Sequence, residues 1–178
     1  MAEQNLDMTV EEDEELLDDS AVIDAKQYMT FKSGTECYAI ELKYVNEIMG
    51  IQPITKIPEV EDYIRGLINL RGKIVPVIDV RLRFKQEPFE YNDRTCIIIV
   101  DVKSTVLGLI VETIADVVTI KNKDIEIPVT LASASSKNKY VYGFGKVGDE
   151  VKLLLNPEKL IGDEEIAELE AAVEEGTV

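Results

Sequence analysis

The sequence predicts a mainly β protein: two small barrel-like subdomains around a shared core, with an acidic segment at either end. Three observations carry this. Short β-branched and aromatic stretches separated by turn residues fill the middle of the chain, the pattern occurs twice, and the acids gather outside it. Of 178 residues 46% are apolar, enough for a globular interior, and the net charge is −16. Residues 1–25 hold ten acids and no base, and residues 162–178 hold seven acids and no base. That leaves 18 of the 35 acids against all 19 bases in residues 26–161, so the body is nearly neutral.

Taken in chain order, residues 1–25 include Glu11-Glu12-Asp13-Glu14-Glu15 and few large apolar residues. Charge repulsion with little area to bury predicts a disordered arm, with an acidic partner-binding arm as the alternative. Strands are expected at Tyr28–Phe31, Cys37–Ile40, Ile97–Val100 and Val106–Val111, punctuated by turns such as Ser33-Gly34 and Lys103-Ser104. Pro76 lies inside Ile74-Val75-Pro76-Val77-Ile78 and lacks a donor, so that strand is expected at an edge or bent. Asp79 is placed to cap a short helix through Val80 to Phe84. Further on, Asn156-Pro157-Glu158 reads as a cap with Pro in the first turn, and Ile166, Leu169 and Val173 form one helical face that packs the tail on the body.

The repeat is found by sliding the chain along itself. A shift of 69 lays Tyr28–Phe31 on Ile97–Val100, Ala39-Ile40 on Gly108-Leu109, Val45 on Ile114, Glu47 on Asp116 and Ile48 on Val117. A shift of 77 lays Tyr63–Gly66 on Tyr140–Gly143 and Val77–Asp79 on Leu154–Asn156. The first copy covers about 27–90 and the second 94–161, within a body at 26–161 followed by an acidic helix and tail at 162–178. Each copy is too small to bury much surface alone, so the two must stabilise each other.

Several kinds of chemistry are excluded. Without a single His there is no phosphohistidine, imidazole acid or base, His metal ligand or Ser–His–Asp triad. Acidic ends and no basic stripe argue against nucleic acid. No apolar run reaches a membrane span, and the acidic start lacks a signal-peptide layout, so a cytoplasmic protein without membrane insertion is expected. Cys37 and Cys96 are expected as buried thiols, and no cofactor or metal is expected.

Gly143–Gly148 matches G-x-G-x-x-G, but a strand-like stretch follows where that motif needs a helix, so a hairpin is the expected structure. Its functional alternative is a small-molecule site on the glycine-rich turn. Asp101 ends an apolar strand, as a receiver phosphoacceptor does, yet no alternating helices surround it, and a solvated carboxylate fits better. Arg71 should project from a tight turn between two strands, either as plain surface or as a rigidly held anchor for a protein partner.

The stretch Tyr38–Ile48, the run Ile54-Thr55-Lys56-Ile57-Pro58 and above all Gly66–Arg81 resemble the CheW family. The likeness extends from about Gln27 to Leu160, through Tyr91-Asn92-Asp93 and Asp116-Val117-Val118. It implies two five-stranded, SH3-like β-barrel subdomains and a non-enzymatic adaptor. In that family the adaptor joins the cytoplasmic tips of methyl-accepting chemoreceptors to the regulatory domain of the histidine kinase CheA, in arrays at the membrane. By the same resemblance Val45, Gly66, Ile114 and Val117 match receptor-binding positions, Glu47 and Cys96 kinase-binding positions, and Arg71 a coupling position. Cys96 departs from the family's usual aliphatic residue, and the long acidic arm is not part of its pattern. A relative fused to a receiver, or the kinase's own regulatory domain, is the second reading; neither a receiver nor an ATP-binding segment is expected beside the body. If an approximate rotation relates the two copies, Val45 with Ile48 and Ile114 with Val117 are expected on opposite walls of a groove between them, suited to an amphipathic helix, the alternative being that they are core.

Overall fold

The structure, a computed structural model, describes residues 24–129 and 139–176. The arm expected to be disordered lies outside them up to Ile23, as does the very end of the tail. Among the described residues there are eleven strands: β1 (Ala25–Ser33), β2 (Glu36–Glu41), β3 (Val45–Gly50), β4 (Ile64–Leu70), β5 (Lys73–Asp79), β6 (Cys96–Val102), β7 (Thr105–Val111), β8 (Thr113–Lys121), β9 (Ile125–Glu126), β10 (Val141–Val147) and β11 (Glu150–Leu155). The described α-helices include α1 (Val80–Arg83) and α2 (Asp163–Gly176). The mainly β class and the C-terminal helix are as the sequence predicts.

The two sheets do not coincide with the two sequence copies. One sheet runs β8-β1-β2-β11-β10-β9 and the other β3-β6-β7-β5-β4. Each copy therefore sends its first two strands into the sheet formed by the rest of its partner copy. The exchange is stitched by two parallel ladders. In one, Val77 and Ile78 of β5 face Gly108 and Leu109 of β7. In the other, Leu154 and Leu155 of β11 face Ala39 and Ile40 of β2. Those are the same pairs once the shifts of 69 and 77 are applied, so the repeat seen in the residues is a repeat of hydrogen-bonded geometry.

Pro76 corrects an expectation. Its strand, β5, lies between β7 and β4, not at an edge. The parallel ladder to β7 begins only at Val77, so at Pro76 the strand has one neighbour and the missing N–H leaves no gap in that ladder.

Neither sheet closes by a ladder between its outer strands among the described residues; the chain itself links the edges. Just past β3, Thr55 exchanges two backbone hydrogen bonds of 2.8 Å with Leu67 of β4. Just past β8, β9 pairs with β10 through Ile125 and Glu126. Both closures need a glycine. A Cβ on Gly66, whose φ is +140°, would sit 2.1 Å from the Thr55 carbonyl oxygen, and one on Gly143 would sit 2.8 Å from that of Glu126.

The interior divides by strand face. Ile97 and Ile99 of β6 point into a cluster inside one sheet, with Ile68, Val75, Val77 and Ile110. Ile98, Val100 and Val102 of the same strand point into a larger cluster built from both sheets. Burial on both faces explains why β6 reads as an unbroken apolar run. Tyr28, Ala39, Ile120 and Leu154 fill the other sheet. Ile166 and Leu169 of α2 join the shared cluster, as the helical stripe predicts. The cysteines are free and half-buried, less enclosed than expected.

Asp79, 1% exposed, holds the corner after β5. One carboxylate oxygen caps α1 through Leu82 N (3.2 Å), and the other accepts from the Tyr91 hydroxyl at 2.6 Å. Burial pushes the Tyr91 phenol well above its ordinary range, and its bond to Asp79 holds the proton further. Asp79→Ala removes a cap and strands a hydroxyl, so a loss of about 2–3 kcal/mol is expected in chemical denaturation. Asp79→Asn, which keeps one acceptor oxygen and puts a donor in place of the other, is expected to recover some of it.

Candidate functional site

The residues singled out in the sequence fall on or beside the edge strands of the two sheets. Val45 and Glu47 lie on β3, and Gly66 on β4, the two outer strands of one sheet. Arg71 caps the β4–β5 hairpin, and Cys96 opens β6 beside β3, opposite Gly50. Ile114 and Val117 lie on β8, an outer strand of the other sheet and the repeat counterpart of β3.

Of these, Glu47 and Arg71 are brought into contact. The guanidinium donates to Glu47 Oε2 from Nη2 in a short ion pair and from Nη1 at 3.3 Å. The bond ties outer strand β3 to the hairpin that follows β4, the other outer strand of the same sheet. Its members differ in exposure: the Arg71 side chain is 68% exposed and that of Glu47 31%. Glu47 Oε1 is buried and has no hydrogen-bond partner among the described residues. The clasp thus presents an outward cation and keeps one carboxylate acceptor unspent, an arrangement costly unless something else donates to it.

The backbone beneath Arg71 is strained. Arg71 has φ +52° and Gly72 φ +85°, and the Gly72 N–H donates to Asn69 Oδ1 at 2.8 Å. A side chain in the left-handed region costs about 1 kcal/mol or more relative to glycine. The equivalent turn of the second copy has Gly148 there, with φ +61°. An Arg where the internal copy uses the unstrained residue points to a role for its side chain, not its backbone. Asn69, three residues before Gly72, was not singled out in the sequence, although an Asn at that spacing is a turn signal.

The apolar candidates divide into two kinds. Val45, Ile114 and Cys96 are half-buried and pack against the shared cluster, so they rim the junction of the sheets. Val117 and its counterpart Ile48 stand out at 49% and 40% exposure. Gly66 is a closure glycine first: its surroundings leave no room for a side chain. Beside these, the counterpart of Glu47, Asp116, is tied down locally, accepting from Thr30 Oγ1 at 2.7 Å. The two copies therefore share shape at this edge but differ in how charge is held: the first joins Glu47 to Arg71, whereas in the second Lys146 pairs with Glu126 at 3.0 Å.

Other candidates dissolve. Gly143–Gly148 forms β10 and its hairpin to β11, with no helix at its end. Asp101 is an exposed strand residue within β6. Among the described residues no three metal-ligating side chains cluster, and no helix is long and apolar enough to cross a membrane.

Residues 27–165 match the CheW-like domain family. The chain belongs to the CheW family. It is 35% identical to the chemotaxis protein CheW of Klebsiella aerogenes over 146 residues, covering 80% of this chain and 85% of that one. The CheW of Helicobacter pylori is 32% identical over 136 residues, covering 76% and 81%. The crystal structure of the scaffolding protein TtCheW from Thermoanaerobacter tengcongensis superposes with a TM-score of 0.71 at 32% identity, covering 79% of this chain and 96% of that one. The CheW fold, a scaffold in chemotaxis, is thus the frame in which the edge strands, the clasp and the exposed apolar pair are placed.

Proposed function

We propose that this chain is a non-catalytic adaptor that couples chemoreceptors to the histidine kinase CheA. The observation that carries the reading is the Glu47–Arg71 clasp: a strained, outward guanidinium and a half-satisfied carboxylate, joining one outer strand to the hairpin after the other. Such a pair suits exchange of partners, with a kinase donor taking Glu47 Oε1 while Arg71 turns to an acceptor. Cys96 lies on the strand next to Glu47 but on the other face of the sheet: Glu47 is opposite Ile99 of the inner cluster, while Cys96 packs on the shared cluster, so the two kinase-binding positions flank one sheet edge. Val45, Ile114 and Val117 form the receptor face, drawn from the equivalent edge strands β3 and β8, and Gly66 supports it by keeping its sheet closed. An amphipathic receptor helix laid along these residues contacts both sheets. A change in receptor conformation reaches the kinase only if the two receptor states contact this face differently. In the cell the protein is cytoplasmic and recruited to receptor arrays.

The test is reconstitution. Purified chain, receptor tips and CheA are mixed, and kinase autophosphorylation is followed as the chain is titrated in. A saturable change in kinase output that needs all three components supports the reading; output indifferent to the chain overturns it. One variant checks the receptor face. Ile114→Lys places a charge at the rim of the shared cluster, and receptor pull-down is expected to fall at least tenfold with circular dichroism unchanged. Loss of the folded spectrum instead makes the position interior and removes it from the face.

A further inference from the structure

Among the described strands the chain passes from one sheet to the other at two points, between β2 and β3 and between β7 and β8. Both crossings stand directly before the proposed receptor face: Val45 opens β3, and Ile114 is the second residue of β8. The angle of the chain at each crossing therefore sets how the two apolar strands stand to each other. The crossings are built differently. The first is a short 3-10 turn, Leu42–Tyr44, in which no residue is buried. The second is a single residue, Glu112.

Glu112 is held from both sheets. Its Oε1 accepts from Arg81 Nη1 in a short ion pair, and Arg81 belongs to α1, directly after β5. Its Oε2 accepts the Gly34 N–H at 2.7 Å, in the turn between β1 and β2 of the other sheet. The guanidinium is itself fixed, donating from Nε to the Glu87 carbonyl at 2.6 Å and lying over the Phe89 ring. A further bond spans the same boundary, from Ser33 Oγ to Gln86 Oε1 at 3.0 Å. The Arg81 and Glu112 side chains are 17% and 23% exposed, against 68% and 31% in the clasp, so solvent screens this pair less. The repeat shows that the fold does not demand the lock. Under the shift of 69, Glu112 corresponds to Lys43 and Gly34 to Lys103, two bases in place of an acid and a glycine. Lys43 is 61% exposed and lies 3.7 Å from Glu41, two residues back, while Lys103 pairs with Asp163 of α2.

We propose that Arg81 and Glu112 are positioning residues for the receptor face. By tying α1 to the β1–β2 turn through one carboxylate, they fix the angle at which β8 leaves β7, and hence where Ile114 and Val117 stand against Val45. The inference rests on the receptor reading above and adds what holds that face in shape. The two walls are held unequally: β8 starts from a clamped residue, and β3 from a turn with no buried residue. A receptor helix thus meets a fixed β8 and an adjustable β3, and the energy of binding depends on the first being in place beforehand.

The test uses the full chain. Glu112→Gln removes the charge opposite Arg81 while keeping an acceptor for the Gly34 N–H. Affinities for a receptor-tip fragment and for the CheA regulatory domain are measured by titration calorimetry, and amide exchange of the free chain is followed by NMR. Receptor affinity is expected to fall about tenfold, and kinase affinity to stay within about twofold because the clasp involves neither residue. Exchange is expected to quicken about tenfold at residues 113–115, with β6 unchanged. Arg81→Ala is expected to match Glu112→Gln, and Arg81→Lys, which keeps a charge facing Glu112, to recover most of the loss. Loss of both affinities together makes the pair merely structural and overturns the proposal. So does an Arg81→Ala chain that binds receptor as the native chain does. Should Glu112→Gln fail to fold, the two Arg81 variants carry the comparison. A native chain that does not bind the receptor tip defeats the receptor reading itself, whereas native binding with Glu112→Gln unimpaired defeats the positioning role alone.

Discussion

Arg71→Gly is expected to abolish most kinase activation, at least tenfold in the reconstituted system, while leaving the fold as stable as before. The two effects separate for a physical reason. The ion pair to Glu47 is largely solvated on the Arg side, so it contributes at most about 1 kcal/mol. Glycine at φ +52° removes a strain of about the same size, as Gly148 does in the second copy. Stability therefore stays within about 1 kcal/mol of the starting chain, read from urea denaturation. Function does not stay, because the outward guanidinium is gone and Glu47 Oε2 is left to solvent. A variant that loses stability and coupling together would reduce Arg71 to a structural residue. Arg71→Lys is an informative companion: it keeps the charge but not the planar fork, and an intermediate output is expected.

Gly66→Val is expected to damage the protein in the opposite manner, through the fold. Its Cβ would stand 2.1 Å from the Thr55 carbonyl oxygen and 2.9 Å from the Ile54 side chain, at a φ of +140° that L residues rarely adopt. Neither neighbour is free to yield, since Thr55 is fixed by its two hydrogen bonds to Leu67. The bridge must break, and the sheet edge opens. A loss of about 3 kcal/mol or more follows from strain and two lost hydrogen bonds. For a domain of this size that is a fall in Tm of about 6–12 °C, measured by calorimetry. Gly72→Ala is the control, at φ +85° but with nothing within 4 Å of the added carbon, and about 1 kcal/mol is expected. Receptor binding lost in Gly66→Val is then attributed to the open edge, not to a missing contact. Binding lost with Tm unchanged would make Gly66 itself part of the contact surface.

The parts of the fold visible in the residues are those written locally. Strands, the Asp79 and Asn156 caps and the α2 stripe each follow from a few neighbouring residues. The repeat was visible because both copies keep the same apolar register, and that register turned out to be a set of ladder partners. The exchange of strands between the copies was not visible, since a repeat says which segments are alike and not which segments pair. Pro76 misled for the same reason: its strand is central, but the ladder it would interrupt starts one residue later. At the candidate site, the turn that carries Arg71 was legible from Asn69-Leu70-Arg71-Gly72, and the family resemblance supplied the remaining positions. What joins Arg71 to Glu47 was hidden, because contact over 24 residues arises only when two outer strands are brought together by closure. Gly66 appeared as a binding position, and only the approach of Thr55 shows why no side chain fits there.

The central claim is that one small β scaffold offers two separate faces, so that both partners are held at once. Sedimentation velocity of this chain with a receptor-tip fragment and the CheA regulatory domain tests it most directly. The account predicts a ternary species heavier than either binary complex, lost in Arg71→Glu on the kinase side and in Ile114→Lys on the receptor side. Competition, with each partner displacing the other and no ternary boundary at saturating concentrations, would contradict it.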